Sequence, residues 1–303
     1  MNPFEIEFTE HKEQYEKWPF PNINFISNEG LLFLRYIKKW LEQKQKRNFA
    51  RVIDIGCGTG HTVLNIASQF PDHQFLGIDR SGHSLNIAEK HAKKLNLKNI
   101  QFQACDINSN LSHLGLFDMI LCLGVLHHLK DMKRAFKRII QLLNKDGYII
   151  LWFYGVYGRY KHNLNQIFIK TLSKNKAKSE MVSLAGEFVR HMGDQYVLHS
   201  GFYSPHGSDK NGLDWLQKHP QWLVDQMVPA YECPVTLGFI LDIFKKYNIE
   251  FENWFGVSLD IEHYTSSKLL IDAFQSLSDR DKMISLDYLL KPEYYFIAGK
   301  KNG

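Results

Sequence analysis

The first half of the chain alternates between two hydrophobic periods. Short apolar runs predict buried strands, and apolar residues that recur every three or four positions predict amphipathic helices between them. Strands that alternate with helices of this length predict an α/β fold with a doubly wound, mostly parallel sheet. The predicted strands of this half are the run from Arg51 into the glycines, Gln74–Asp79, Ile100–Asp106, Phe117–Leu123 and Tyr148–Tyr154.

Amphipathic segments predict the accompanying helices. They lie at about Gly30 to Lys46, between the glycines and Pro71, at Leu85 to Leu95 and at Met132 to Leu143. The composition of Asn144–Gly147 is typical of a turn ahead of the fifth strand. Near the C-terminus the pattern predicts helices at Leu237–Tyr247 and Leu269–Leu277 and strands at Ile249–Trp254 and Tyr294–Ala298.

The alternation stops between residues 155 and 235. We expect a few helices and loops here, forming a helical cap that is inserted after the fifth strand and covers the active edge of the sheet. The cap would separate residues 1–154 from the remaining elements in 236–303. Its apolar residues look too sparse for a separate core, which predicts mobility and ready proteolysis at the Lys-rich tract Ser173–Lys178. A run rich in His and aromatic residues, Arg190 to His206, is expected to line or cover a substrate.

Composition limits the class of protein. With 303 residues, 44% of them hydrophobic, the chain can bury a large core. It contains no apolar stretch of about 20 residues and no basic and apolar leader at its start, which predicts a soluble, cytoplasmic protein. The four cysteines show no paired spacing, so we expect reduced thiols and no metal site.

The formal charge of +5 lies entirely in residues 1–150, and residues 151–303 are neutral. Because the parts that cover the substrate are expected in the second half, the electrostatic case for a nucleic-acid partner is weak. The pattern leaves the oligomeric state open.

One stretch, Arg51 to His61, carries the strongest functional signal. Glycines at 56, 58 and 60 permit positive φ angles and remove Cβ atoms, so a ligand can approach the backbone at the carboxyl end of the first strand. A dinucleotide fingerprint would need a glycine where His61 stands, and no Gly-Lys-Ser or Gly-Lys-Thr follows for a Walker loop. An ordinary tight turn between strand and helix remains the alternative.

Further motifs follow in order. Val52–Gly60, Gly77–Ser81, Ala104–Asp106 and Phe117–Leu129 resemble four successive motifs of the class I S-adenosylmethionine-dependent methyltransferases. The resemblance covers about residues 30–155 plus the last two strands, and the cap matches no motif. It implies a Rossmann-like, seven-stranded sheet and S-adenosylmethionine as cofactor.

The same resemblance implies a cofactor site at the carboxyl ends of the strands. The glycine turn would approach the methionine and ribose, a carboxylate after the second strand would accept both ribose hydroxyls, and a carboxylate after the third would accept from the adenine amine. Backbone carbonyls after the fourth strand would accept from the methionine ammonium. The implied residues are Asp54, Gly56, Gly58, Gly60, Asp79, Arg80, Asp106, Ile107, Leu123 and Gly124.

Some of these residues also have a structural explanation. Asp79 and Asp106 could instead cap the helices that follow them, a position that Asp often occupies. His127 and His128 follow the fourth strand, where either could serve as a general base, and a structural role for each stays equally open.

The activity implied is methyl transfer to an oxygen, nitrogen or carbon nucleophile of a small or medium organic molecule. Such a transfer is an in-line displacement, so the protein mainly aligns the nucleophile and excludes water. The alternatives are an RNA methyltransferase, for which no RNA-binding module is recognisable, and a non-catalytic partner subunit that retains the fold. An oxidoreductase is disfavoured because His61 interrupts the dinucleotide pattern.

Overall fold

The structure is a computed structural model that describes residues 6–7, 11–21, 32–43, 51–196, 216 and 218–303. The helix predicted at about 30–46 is described over Leu32–Gln43. Most of the His- and aromatic-rich run, from residue 197 to 206, lies outside the described residues. Among the described residues, no helix is both long and apolar enough to cross a membrane.

Seven strands form the main sheet, in the spatial order β4-β3-β2-β5-β6-β9-β8. All neighbouring strands are parallel except that β9 runs antiparallel to both β6 and β8. A second, two-stranded antiparallel sheet joins β1 to β7. The strands are β1 (Ile6–Glu7), β2 (Arg51–Ile55), β3 (Gln74–Asp79), β4 (Ile100–Ala104), β5 (Phe117–Leu123), β6 (Leu143–Tyr154), β7 (Tyr231–Glu232), β8 (Ile249–Trp254) and β9 (Tyr294–Lys301).

Helices cover both faces of the sheet and form the insertion after β6. They are α1 (His11–Lys17), α2 (Leu32–Gln43), α3 (His61–Gln69), α4 (Gly82–Lys94), α5 (Met132–Gln141), α6 (Tyr160–Leu172), α7 (Lys178–Tyr196), α8 (Pro220–Met227), α9 (Leu237–Lys246), α10 (Lys268–Gln275) and α11 (Asp279–Leu290). The predicted fold class is confirmed, including the insertion after the fifth strand of the main sheet.

Two details of the prediction are wrong. Asn144–Gly147 is part of β6 and does not form a separate turn; Asp146 takes a left-handed φ of 58° there, and the register against β5 shifts, so the turn-like residues form an irregularity inside the strand. The helix α11 was not predicted. The sequence nevertheless contains a signal for the start of this helix, because Ser278 is a typical N-cap residue; its side chain accepts from the Asp281 N–H.

The two faces of the sheet bury different apolar clusters. Ile53 and Ile120 belong to one cluster, whereas their chain neighbours Val52 and Met119 belong to the cluster on the other face. Successive side chains of a strand point to opposite faces, so a sheet covered on both sides needs apolar residues at nearly every position. This explains the continuous apolar runs in the central strands.

The cap, defined as residues 155–235, contains a third apolar cluster, contrary to the expectation of too few apolar residues. Phe188, Leu223 and Met227 are buried in it, and Trp18 and Phe20 of the N-terminal segment, residues 11–21, pack against it.

The Lys-rich tract Ser173–Lys178 joins α6 to α7, and both of its end residues contact the rest of the cap. Ser173 is buried, and the Lys178 ammonium contacts the carbonyl of Val228, while the residues between are exposed.

A buried ion pair connects the first helix of the cap to β7. The guanidinium of Arg159 bonds both carboxylate oxygens of Glu232 at 3.1 and 3.2 Å, and it stacks 3.6 Å from the ring centroid of Tyr154. Asn163 also donates to Glu232, at 3.1 Å. Because Arg159 is 1% and Glu232 0% exposed, removing either charge would leave the other desolvated without its counter-ion.

We predict that Arg159→Met lowers the free energy of unfolding by about 3 to 5 kcal/mol, the usual cost of leaving one buried charge unpaired. Urea denaturation followed by circular dichroism measures this change. The control is Arg280→Met, which removes an exposed pair with Asp242 and should cost less than about 1 kcal/mol. Equal losses in the two variants would contradict the prediction.

Candidate active site

The turn from β2 to α3 folds its glycines into the left-handed region. Gly56, Gly58 and Gly60 have φ angles of 72°, 54° and 80°. At Gly58 a Cβ would lie 2.4 Å from the carbonyl oxygen of Phe20, and that same oxygen accepts from the Thr59 N–H at 3.1 Å. The turn is therefore covered directly by the N-terminal segment, which only a glycine at 58 allows.

Asp79 ends β3 and connects two turns. One carboxylate oxygen accepts from the Gly58 N–H and the other from the Ser81 N–H, both at 2.8 Å. Burial raises the pKa of this carboxyl, and the backbone donors oppose that rise. Two of its lone pairs are thus used by the backbone, and each carboxylate oxygen can accept a second bond. Asp79 does not cap α4, because Ser81 accepts from the Ser84 N–H there.

Asp54 lies on β2 beneath the glycine turn and is 3% exposed. Burial, and then the negative charge of Asp79, raises the pKa of its carboxyl to about 7. Two carboxylates in one desolvated place favour a bound cation, because a positive group would offset both the desolvation and the mutual repulsion.

The third predicted acidic position follows β4. Asp106 accepts from the Asn108 N–H at 2.8 Å, so it orders its own turn and does not cap a described α-helix. Its other carboxylate oxygen lies 3.8 Å from Nε of Arg80, a partly exposed pair. Ile107 is buried beside it. Asp106, Arg80 and Ile107 all line the cavity described below.

The two histidines after β5 occupy different environments. Residues Leu126–His128 form a short 3₁₀ turn. His128 lines the cavity described below, and its Nδ1 lies 2.8 Å from the Tyr231 carbonyl oxygen. Since a carbonyl only accepts, Nδ1 carries the proton and a neutral ring has its lone pair on Nε2. His127 is fully buried and does not line the cavity, and its ring centroid lies 4.1 Å from that of Tyr154.

A single cavity of about 1110 Å³ lies at the carboxyl ends of the parallel strands and continues beneath the cap. It brings together ten of the twelve residues that the sequence singled out, which are Asp54, Gly56, Gly58, Asp79, Arg80, Asp106, Ile107, Leu123, Gly124 and His128. Gly60 and His127 do not line it. A Cβ on Gly60 would lie 2.9 Å from Ala88 and Leu64, so this glycine permits close packing of α3 and α4.

Sequence reasoning missed the side of the cavity that the cap and the N-terminal segment provide. Tyr15, Tyr154, Trp222, Asp225 and Gln226 line it there. No motif marks these positions, and the only signal in the sequence was the aromatic density of the N-terminal segment.

The N-terminal segment is attached beside the glycine turn. Glu16 accepts from the Gly82 N–H at 3.0 Å, and the Ser81 hydroxyl donates to the Tyr15 carbonyl at 3.3 Å. These bonds hold α1 against the start of α4 and place Tyr15 over the cavity. Among the described residues, no group of three or more His, Cys, Asp or Glu side chains is placed to hold a metal ion.

Comparison with known proteins identifies relatives of this chain. A family model described as a methyltransferase domain matches residues 46–201. The uncharacterized protein RP028 of Rickettsia prowazekii (strain Madrid E) is 32% identical over 136 residues, which are 45% of this chain and 53% of that protein. The probable (S)-tetrahydroprotoberberine N-methyltransferase 2 of Papaver bracteatum is 30% identical over 112 residues, covering 37% of this chain and 31% of that protein.

The fold has a solved counterpart. The structure of PKMT2 from Rickettsia typhi in complex with AdoHcy superposes with a TM-score of 0.62 at 16% identity, covering 83% of this chain and 48% of that one. At this identity the similarity extends to the fold alone. The chain spans about half or less of the length of these relatives.

We predict that Gly58→Ala destabilises the turn and weakens any ligand bound to it, because the new Cβ would meet the Phe20 carbonyl in a left-handed backbone. The matched control is Gly82→Ala, at a helix start where a Cβ would meet nothing within 4 Å. Thermal melts should show a lower Tm only for Gly58→Ala. An unchanged Tm in that variant would mean that the N-terminal segment does not press on the turn.

Proposed function

The chain belongs to the methyltransferase domain family, the class I S-adenosylmethionine-dependent methyltransferases, and from this premise we propose the reaction that it catalyses. It transfers a methyl group from S-adenosylmethionine to an oxygen, nitrogen or carbon nucleophile of a small or medium organic molecule. The observation that carries the proposal is the single cavity in which the glycine turn, the carboxylates after the strands and the cap face one another.

The chemistry of the cavity fits the cofactor. Gly56 and Gly58 of the glycine turn line it, and the buried carboxyl of Asp54 and the partly buried carboxyl of Asp79 suit a ligand that carries an ammonium group. We propose that Asp54 faces the methionine ammonium, that Asp79 accepts from the ribose hydroxyls with its remaining lone pairs, and that Asp106 and Ile107 bind the adenine. The backbone at Leu123 and Gly124 completes the methionine side.

The size of the cavity supports a second ligand beside the cofactor. Pockets for one small molecule usually measure about 300 to 1,000 Å³, and this cavity is larger. We propose that residues 155–235 cover the acceptor, between a cofactor-binding half at 1–154 and the closing elements at 236–303. His128 lines this part of the cavity, whereas His127 packs behind it and would act only through the aromatic side chains it contacts.

The lining of the cavity favours some acceptors over others. Eight Asp or Glu residues line it, against two Lys or Arg residues. A wall of this sign repels phosphates and carboxylates, so it disfavours RNA as the substrate.

The open cavity also argues against a partner subunit that has lost its ligand. A cytoplasmic location stays a prediction from the sequence.

The cofactor supplies a methyl carbon that its sulfonium already activates. The protein's share of the reaction is to hold the acceptor in line with that carbon, to exclude water beneath the cap, and to accept a proton where the acceptor carries one. Nε2 of His128 is the proposed proton acceptor, because the bond from Nδ1 to the Tyr231 carbonyl fixes the ring with its lone pair there.

The experiment that tests the proposal is calorimetric titration. We expect S-adenosylmethionine and S-adenosylhomocysteine to bind at micromolar concentration and NAD not to bind. The physical reason is the glycine spacing together with Asp79, which suits a nucleoside with free ribose hydroxyls and offers no pyrophosphate turn. Binding of NAD without any response to the two sulfur compounds would overturn the proposal.

The raised pKa of Asp54 gives a pH-dependent affinity. Below pH 7 the carboxyl is protonated and cannot neutralise an ammonium, so affinity falls as the pH falls through about 7. We predict that S-adenosylhomocysteine binds about tenfold more weakly at pH 6 than at pH 8, the change in ionised fraction that a pKa near 7 produces. Calorimetry at both values measures it.

The variant Asp54→Asn should bind more weakly at pH 8 and lose most of this pH dependence. Asp242→Asn, at an exposed ion pair on α9, is the control and should keep the wild-type profile. An unchanged pH profile in Asp54→Asn would show that another group, such as Asp79, controls the affinity.

A further inference from the structure

The cap contributes a buried carboxylate to the lining of the cavity. Asp225 of α8 lines the cavity and is 5% exposed. It accepts from the side-chain amide of Gln226 at 3.0 Å and from the Tyr154 hydroxyl at 3.4 Å. Both donors are neutral, and they fix the position of the carboxylate without compensating its charge.

The buried guanidinium of Arg159 is already bonded to another acid. It donates to both carboxylate oxygens of Glu232 at 3.1 and 3.2 Å and, at 3.3 Å, to the side-chain oxygen of Gln226. Burial is the largest influence on the Asp225 carboxyl and raises its pKa, as does the charge of Glu232, whereas a protonated His128 ring and Arg159 lower it. A buried carboxylate in this situation gains most from a cationic ligand.

Aromatic rings line the cavity as well. Tyr15, Tyr154, Trp222 and Tyr231 do so together with Asp225, and the Tyr154 hydroxyl bonds Asp225 directly. Burial raises the pKa of the Tyr15 hydroxyl, and the charges of both Asp225 and Asp79 raise it further. Rings around a carboxylate bind ammonium groups through cation–π and charge-assisted contacts.

Resting on the proposed function, we propose that the acceptor is a protonated primary or secondary amine on an apolar or aromatic body. Asp225 binds its ammonium, the rings of Tyr15, Tyr154 and Trp222 enclose its body, and His128 faces the reacting nitrogen. A carboxylate, a phosphate or a neutral alcohol would leave the Asp225 charge buried without a counter-ion.

The step balances with these groups. The acceptor ammonium gives one proton to Nε2 of His128, and the freed lone pair on nitrogen forms the bond to the methyl carbon. The bond between that carbon and sulfur breaks, and its electron pair stays on sulfur. The products would be the N-methylated ammonium ion and S-adenosylhomocysteine, and the proton would pass from the protonated His128 ring to water.

Three small ligands that share a phenyl ring and differ in charge test whether the site recognises the charge or the shape of the acceptor. 2-Phenylethylamine is a cation, 2-phenylethanol is neutral and phenylacetate is an anion. Each is titrated by calorimetry into the full chain saturated with S-adenosylhomocysteine. We expect the amine to bind about 10 to 100 times more tightly than the alcohol, the range for one charge-assisted bond to a buried carboxylate, and phenylacetate to bind most weakly.

Asp225→Asn keeps the shape of the side chain and removes its charge. It should reduce the affinity for the amine to that for the alcohol and leave the affinity for S-adenosylhomocysteine unchanged. The matched control is Glu293→Gln, which removes one negative charge from the same cavity outside the cap and should keep the preference for the amine.

The outcomes distinguish this inference from the function on which it rests. If S-adenosylhomocysteine itself fails to bind, the proposed function fails. If it binds and the wild-type protein prefers the alcohol or phenylacetate, binds all three equally or binds none, the amine inference is overturned. An amine preference that survives in a folded Asp225→Asn protein also overturns it. Because the wild-type order alone decides, a variant that does not fold leaves the test intact.

Discussion

The carboxylate of Asp79 is the link on which the cofactor side of the structure depends. Its two oxygens accept from the Gly58 and Ser81 N–H groups, so one side chain holds the glycine turn after β2 and the start of α4 in fixed relation. The Phe20 carbonyl then closes the turn from above through the Thr59 N–H. The geometry of the glycine turn is therefore set by backbone groups around one partly buried acid, whose desolvation is opposed by its hydrogen-bond donors.

The cap lines the same cavity. Its own apolar cluster makes it a packed unit, and the Arg159–Glu232 pair attaches it to the end of β6 through the ring of Tyr154. Because that pair is satisfied within the cap, the charge of Asp225 remains directed at the cavity. Cofactor and acceptor would thus meet between two acidic regions, a suitable surrounding for a sulfonium and an ammonium that must approach each other.

The sequence predicted those features that depend on neighbouring residues. Strands β3, β5 and β8 have the predicted bounds, because apolar residues at strand spacing are a local signal, and β3 also ends in Asp and β5 directly before Gly. Features that depend on distant contacts were not predictable. Asp225 and Tyr154 are 71 positions apart, and nothing local marks either as a cavity residue. His127 and His128 are equivalent in sequence, and only the 3₁₀ turn decides that the second one faces the cavity.

A crystal structure of the S-adenosylhomocysteine complex would show whether one cavity holds the cofactor and directs its sulfur toward the cap. We expect ribose oxygens within hydrogen-bond distance of Asp79 and the ammonium beside Asp54. We also expect a sulfur atom that faces His128 with open space between it and Asp225. A nucleoside bound elsewhere, or a sulfur that faces the closed glycine turn, would mean that this cavity does not present the cofactor to the cap.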